Sequence, residues 1–212
     1  MTKLVTSLTA LCLVAAAAVA FFFVGQSEAI AADAAAIGAD APAFTLKDVK
    51  TGDDVSLEAH QGKVVVLLFH STNCPWYKMR EGGGYDRVFV PMVESYKDKD
   101  VVFLGVNANK NESVDKIKSY VEQHNINYTV VKDEGNKVAD AYGAKVTPHV
   151  MVIDQDGKLR YRGGVEKRPA NPGACGQSDQ QYLGPVIDAL LEGEDIPVES
   201  ETPAVGCGIK RV

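Results

Sequence analysis

Residues 64–69, Val-Val-Val-Leu-Leu-Phe, contain no polar position. A continuous apolar run rich in β-branched side chains, entered through Gly62-Lys63 and left through His70-Ser71-Thr72-Asn73, predicts a central strand buried on both faces. Similar runs at 101–106 and 150–153 predict two more strands. The second turns through Asp154-Gln155-Asp156-Gly157 into a polar strand at 158–162, which makes a hairpin. Between the strands, Val114, Ile117 and Val121 recur at helical spacing behind the capping candidates Asn111 and Ser113. Val138, Ala139 and Tyr142 likewise precede Gly143. Strands alternating with helices imply crossover connections and an α/β sheet.

The rest of the chain is less regular. A helix should open after Cys74, but Gly82-Gly83-Gly84 interrupts it, each glycine costing about 1 kcal/mol against alanine in a helix interior. It should resume near Pro91. Residues 166–180 turn to Pro, Gly, Asn and Ser, an irregular loop that contains Cys175. A short helix is expected from about Pro185, which suits a first helical turn, to Leu191, and residues 197–212 should form an extended tail. At the other end, Lys3 precedes an apolar run over 4–24, and Ala29-Ile30-Ala31 has the form of a signal-peptidase site. Residues 1–31 are therefore expected to be an export signal or, uncleaved, an N-terminal membrane anchor. Residues 32–40 are expected to form a linker and 41–196 the folded domain.

The 212 residues, 46% hydrophobic and 24% charged, suit one well-buried core. A formal net charge of -6 offers no footprint for a phosphate backbone, so nucleic acid is not an expected partner. Of the cysteines, Cys12 lies within the apolar leader. That leaves Cys74, Cys175 and Cys207, an odd set in a compartment that permits disulfides.

Asn73-Cys74-Pro75-Trp76 follows the buried strand and opens a helix, where unpaired amides and the helix dipole favour a thiolate. Lys78 and Arg80 add positive charge nearby. Val146-Thr147-Pro148-His149 stands immediately before a strand. The ordered set Gly38-x-x-Ala41-Pro42-x-Phe44-x-Leu46, Gly62-Lys63, Cys74-Pro75, Thr147-Pro148 and Asp156-Gly157 resembles the thioredoxin-like superfamily and its redoxin branch, AhpC/TSA. That resemblance spans about 38–192. It implies a thioredoxin-like fold, a central mixed sheet flanked by helices, with Thr147-Pro148 cis and beside the active cysteine. Trp76, Thr147 and Pro148 would then border the substrate.

The chain departs from both relevant family patterns. Tyr77 stands where a thioredoxin dithiol site has its second cysteine, and Leu68 where thioredoxins carry a buried aspartate. Against a peroxiredoxin's Pro-x-x-x-Thr-x-x-Cys, this chain has Leu67 and Ser71, the serine still offering a hydroxyl. Cys74 must work alone or find a partner across the fold. Cys207, between Gly206 and Gly208 in a tail resembling a Gly-Cys-x-Ile-Lys ending of exported redoxins, has a mobile backbone suited to a travelling resolving thiol. Cys175, beside Gly173 and Gly176, competes for that role.

The expected function is extracytoplasmic thiol-disulfide exchange through Cys74, with protein thiols or disulfides and an unidentified reductant as partners. Alternatives are a thiol peroxidase acting on hydroperoxides and a non-enzymatic binding or metal-delivery module. No cofactor is expected and no metal site is assigned. His70 and His149 lie near enough in sequence to consider for copper, and His149 fits better as a surface or thiol-tuning residue. Lys132-Asp133-Glu134 should be a solvated loop and helix cap.

Overall fold

The computed structural model describes residues 34–78 and 84–212. The export segment and Arg80 lie outside the described residues. The strands are β1 (Thr45–Asp48), β2 (Asp54–Ser56), β3 (Val64–Phe69), β4 (Val101–Asn107), β5 (Thr129–Lys132), β6 (Val146–Thr147), β7 (His149–Ile153), β8 (Leu159–Gly163) and β9 (Cys207–Gly208). The helices are α1 (Asp86–Ser95), α2 (Val114–Gln123), α3 (Lys137–Ala141) and α4 (Leu183–Glu192). Seven strands form one mixed sheet in the order β2-β1-β5-β4-β3-β7-β8. β3 pairs in parallel with β4 and antiparallel with β7, so it is the interior strand that its apolar run predicted. This is the thioredoxin-like arrangement.

Alternate residues of β3 feed two cores, which is why no polar side chain is tolerated along it. Val64, Val66 and Leu68 pack with Phe89 of α1, Ile117 and Val121 of α2, and Val186, Ile187 and Leu190 of α4. Val65, Leu67 and Phe69 pack with Val138 and Ala139 of α3 and with Ile209. Each such side chain contributes roughly 1.5–3 kcal/mol on burial.

Several boundaries differ from the sequence expectation, for physical reasons. α1 begins at Asp86, not near Pro91, because the backbone at its start is hydrogen-bonded to the turn after Cys74. The Tyr85 amide donates to Trp76 O (3.0 Å) and the Asp86 amide to Tyr77 O (3.1 Å). Gly84 makes that close approach feasible: its φ is +100°, and a Cβ there would sit 2.2 Å from the Lys78 carbonyl oxygen. Pro91 is carried inside the helix. α4 starts at Leu183 and is closed by Gly193 in the left-handed conformation. Ser113, not Asn111, caps α2, accepting from the Lys116 amide at 3.3 Å.

The stretch at 132–134 is mostly not solvated. Lys132 and Asp133 are buried, with the Lys132 ammonium donating to Asn109 O (2.7 Å), while Asp133 does cap α3 by accepting from the amides of Val138 and Ala139. The tail is not a free extension either. β9 pairs antiparallel with β6, and Ile209 is buried.

Candidate functional site: a paired thiol at the end of β3

At the end of β3 the chain turns sharply through Ser71 to Cys74. The Cys74 amide donates to Ser71 O (3.1 Å), and the Cys74 carbonyl accepts from the amides of Tyr77 (3.0 Å) and Lys78 (2.9 Å). The expected helix at Cys74 is thus reduced to a turn. Cys74 is 1% exposed, and its thiol donates to the carbonyl of Thr147 at 2.9 Å. The Cys207 sulfur lies 2.8 Å from it. Both are free thiols. A disulfide needs about 2.03–2.05 Å, so a displacement under about 1 Å separates this pair from a bond.

Cys207 is brought there by backbone pairing. Thr147 lies opposite Cys207 and Val146 opposite Gly208, the Thr147 hydroxyl donates to Cys207 O (3.4 Å), and Thr147-Pro148 is cis. The backbones approach so closely at Gly206 that a Cβ would stand 2.0 Å from Thr147 O. Beyond Cys207 the tail is held on both sides. The Ile209 amide donates to Lys145 O (3.1 Å), the Lys210 amide to Asn109 Oδ1 (2.9 Å) and the Lys110 amide to Lys210 O (2.9 Å). Arg211 donates to Ala144 O (2.7 Å) and pairs with Asp140, and the Val212 amide donates to Asn136 Oδ1 (2.9 Å). The expectation of a travelling Cys207 is therefore corrected: glycine serves close approach here, not mobility. Burial first, then the neighbouring Cys74, pushes the Cys207 thiol up to about 12.

Cys175 is placed elsewhere. It is 1% exposed, its sulfur 3.9 Å from Trp76 O, and burial followed by the nearby Glu166 pushes its thiol up to about 11. Trp76 is half-buried against the first core. Tyr77 is fully buried, its hydroxyl 2.7 Å from that of Tyr128 and its ring 4.6 Å from the ring of His70. It fills with packed aromatic surface the place a second thiol would occupy.

A residue missed in the sequence organises this site. Glu112 is 1% exposed, and its carboxylate accepts from the Ser71 hydroxyl, the Thr72 amide and hydroxyl (both 2.8 Å) and the Asn107 side-chain amide (2.8 Å). Burial alone would raise its pKa. The hydrogen bonds from Ser71, Asn107 and Thr72 outweigh that and hold it below 4.5. Asn107 Oδ1 in turn accepts from the Asn109 amide (3.1 Å), and Asn109 holds Lys210. One carboxylate thus ties the turn before Cys74 to the tail after Cys207. The available signal was position: the polar stretch Asn107 to Glu112 follows the C-terminal end of a parallel strand, where open α/β sheets place their sites.

Both histidines lie inside the fold. His149 is 7% exposed and so not a surface residue. Its Nδ1 accepts from the Lys145 amide (3.3 Å), and burial, then Arg162 and Lys145, pushes it down to about 4. It lines a cavity of about 290 Å³ with Arg162 and Glu201. His70 is fully buried and pushed down to about 4, chiefly by burial. Among the described residues no group of three or more His, Cys, Asp or Glu side chains is arranged to hold a metal ion. Ser71, Asn73, Cys74, Asn109, Glu112 and Cys207 border a cavity of about 220 Å³ beside the two sulfurs.

Comparison with known proteins supplies the family. Residues 37–162 match the AhpC/TSA family. The thiol-disulfide oxidoreductase ResA of Halalkalibacterium halodurans is 30% identical over 122 residues, 58% of this chain and 65% of the relative's length. The chain thus matches just under two thirds of that relative. A chloroplastic peroxiredoxin Q of Suaeda salsa is 31% identical over 133 residues, 58% of this chain and 57% of that protein. Among solved structures, an uncharacterised conserved protein of Geobacillus kaustophilus superposes with a TM-score of 0.71 at 30% identity, covering 84% of this chain and 93% of that one.

Proposed function

The chain belongs to the AhpC/TSA family, and we propose that it is a thiol-disulfide oxidoreductase whose redox couple is Cys74 with Cys207. The observation that carries this reading is the 2.8 Å sulfur–sulfur separation, held by a tail fastened at both flanks. A conventional dithiol site keeps its two sulfurs together on one helical turn. Here Tyr77 removes that option, and a strand pairing between segments far apart in sequence replaces it. Reduction of a partner disulfide converts the two thiols to the Cys74–Cys207 disulfide and yields two partner thiols. The reverse reaction oxidises a partner dithiol. Holding both sulfurs near bonding distance raises the effective concentration of one at the other, which is what makes the intramolecular step fast. Thr147 borders the pair, and we read it, with Pro148 and Trp76, as the rim against which a partner docks.

Exchange is favoured over peroxide reduction because the Ser71 hydroxyl, the group in the peroxiredoxin threonine position, is already committed to Glu112. Its proton is not offered to a peroxide oxygen in this arrangement. The reading places the protein outside the cytoplasm, on the leader pattern at 1–31, where disulfide chemistry persists.

The test is peptide mapping by mass spectrometry, without reduction, after treatment with stoichiometric oxidised glutathione or hydrogen peroxide. Oxidised glutathione is expected to give a Cys74–Cys207 disulfide, with peroxide reacting far more slowly. A Cys74 that stays free, or that pairs with Cys175, refutes the proposed couple.

A further inference from the structure

Once Cys74 has attacked a partner disulfide, its sulfur is bonded to the partner and Cys207 must close the couple. That step needs the Cys207 thiolate, which the site resists: burial and the neighbouring Cys74 push the Cys207 thiol up to about 12. In the mixed disulfide Cys74 carries no proton, so the second of those causes is gone. Burial remains, and the positive charge of Lys210 opposes it.

The tail fixes Lys210 beside the pair. Its amide donates to Asn109 Oδ1 (2.9 Å) and its carbonyl accepts from the Lys110 amide (2.9 Å), so the root of the side chain is held while the residue stays exposed. It borders the same cavity of about 220 Å³ as Cys74 and Cys207, and among the described residues lining that cavity it is the one cation. The other charges close by are committed. Glu112, which also borders the cavity, accepts from Ser71, Thr72 and Asn107. Lys116 donates to Asn73 Oδ1, and Arg211 pairs with Asp140. The Lys210 ammonium has no hydrogen-bond or ion-pair partner among the described residues.

From this placement we propose that Lys210 is a positioning residue for the resolving step, its ammonium stabilising the Cys207 thiolate while that sulfur closes on Cys74. The proposal rests on the couple assigned above and adds the group that lets its second thiol react. The titratable groups facing Cys207 are Cys74, Glu112 and Lys210, and only Lys210 favours the thiolate.

The step balances as follows. The Cys207 thiol gives its proton to solvent. Its sulfur forms a bond to the Cys74 sulfur, the bond between Cys74 and the partner sulfur breaks, and the partner leaves with the electron pair and takes a proton from solvent. Over both steps the couple loses two electrons and the partner disulfide gains them.

An exposed ammonium acts at the low end of the range for a nearby opposite charge, about one pH unit on the thiol. One unit changes the thiolate fraction about tenfold, and the intrinsic nucleophilicity changes about threefold the other way, so the net effect on closure is about threefold. Reversing the charge should bring the loss to about tenfold.

The experiment uses the full-length reduced protein and an excess of dipyridyl disulfide, an uncharged probe near neutral pH that releases a chromophore at each displacement. Attack by Cys74 speeds up with probe concentration. Closure by Cys207 is the later release whose rate does not, and peptide mapping identifies its product as the Cys74–Cys207 disulfide. Closure near neutral pH in about 0.01 M salt should rank by charge, with Lys210→Arg matching the parent, Lys210→Met about threefold slower and Lys210→Glu about tenfold slower. In about 1 M salt, where screening shortens from about 30 Å to about 3 Å, the four rates should converge. Raising the pH should bring Lys210→Met level with the parent only about one unit above the pH where the parent levels off. Rates that do not rank by charge, or a deficit that salt leaves unchanged, overturn the proposal, since a merely structural lysine would give either. A parent protein that shows no probe-independent release and no Cys74–Cys207 disulfide sinks the couple itself, whereas closure indifferent to the charge at 210 sinks only the role of Lys210.

Discussion

Replacing Gly206 with alanine perturbs the couple while leaving both sulfurs in place. An ideal Cβ at Gly206 falls 2.0 Å from the Thr147 carbonyl oxygen, 2.5 Å from its carbon and 3.0 Å from Pro148 N, and ordinary contact begins at 3.4 Å. These are backbone atoms on a strand, so no flexible side chain can swing away. The tail must retreat by about 1.4 Å, the amount by which 2.0 Å falls short of 3.4 Å. Cys207, the next residue, retreats with it. A misplacement of about 1 Å can lower the efficiency of a positioned reaction about 100-fold. The effective concentration of Cys207 at Cys74 should therefore fall about 10- to 100-fold, and the midpoint potential of the couple should rise by about 30–60 mV, since tenfold corresponds to about 30 mV for two electrons.

Equilibration in glutathione buffers of graded redox ratio, acid quenching and counting of alkylated Cys74 and Cys207 measure this directly. Gly208→Ala is the control one residue beyond the thiol. Nothing lies within 4 Å of its added Cβ, so its midpoint should match that of the parent protein. If Gly206→Ala titrates within twofold of the parent, or if Gly208→Ala is equally damaging, then strand pairing of the tail does not set the couple and the reasoning fails.

Three further outcomes follow from the buried polar and aromatic groups. Glu112→Gln keeps the shape but turns one of the accepting oxygens into a donor facing other donors. It should cost about 2–4 kcal/mol in urea unfolding and flatten an acid-side stability loss that the parent shows below pH 4.5, because a carboxylate with lowered folded pKa stabilises above its unfolded value and ceases to as the pH falls through the folded one. His149 has the opposite chemistry but the same slope. Its folded pKa of about 4 lies below 6.5, so the unfolded chain binds a proton that the fold refuses. Its stabilisation is complete above pH 6.5 and drains by roughly 3 kcal/mol toward pH 4, which urea midpoints across pH 4–8 should record and His149→Gln should reduce. Tyr77→Cys writes a C-x-x-C into the sequence, yet it should destabilise the domain by about 3–5 kcal/mol, since it empties a fully buried aromatic site and strands the Tyr128 hydroxyl. An unchanged melting curve for that variant would contradict the packing role given to Tyr77.

The sequence carried the sheet more clearly than the site, and the reason is range. β3 announced itself because a strand buried on both faces must be apolar at every position, a constraint written wholly within Val64 to Phe69. The hairpin of β7 and β8 was legible through its turn, where Asp154 accepts from the amides of Asp156 (3.1 Å) and Lys158 (2.8 Å). Cys74 could be singled out from its place after that strand. The start of α1 was not legible, since it is set by hydrogen bonds back to Trp76 and Tyr77 across the glycine segment. Burial at Lys132, Asp133 and His149 was equally hidden, because each is a polar residue whose partners come from other elements.

The relation between Cys74 and Cys207 shows why composition misled about the tail. A cysteine between glycines suggests a loose chain when only torsional freedom is considered. Glycine has a second property, the absence of a Cβ, and at Gly206 that property decides the outcome, because it lets one backbone lie against another where any side chain would collide. The partners that then fix the strand, from Lys145 to Asn109 and onward to Glu112, are mainly backbone groups and small polar side chains with no local signature. The potential of the couple is thus a property of the tail's pairing, and a variant that loosens the tail should shift it.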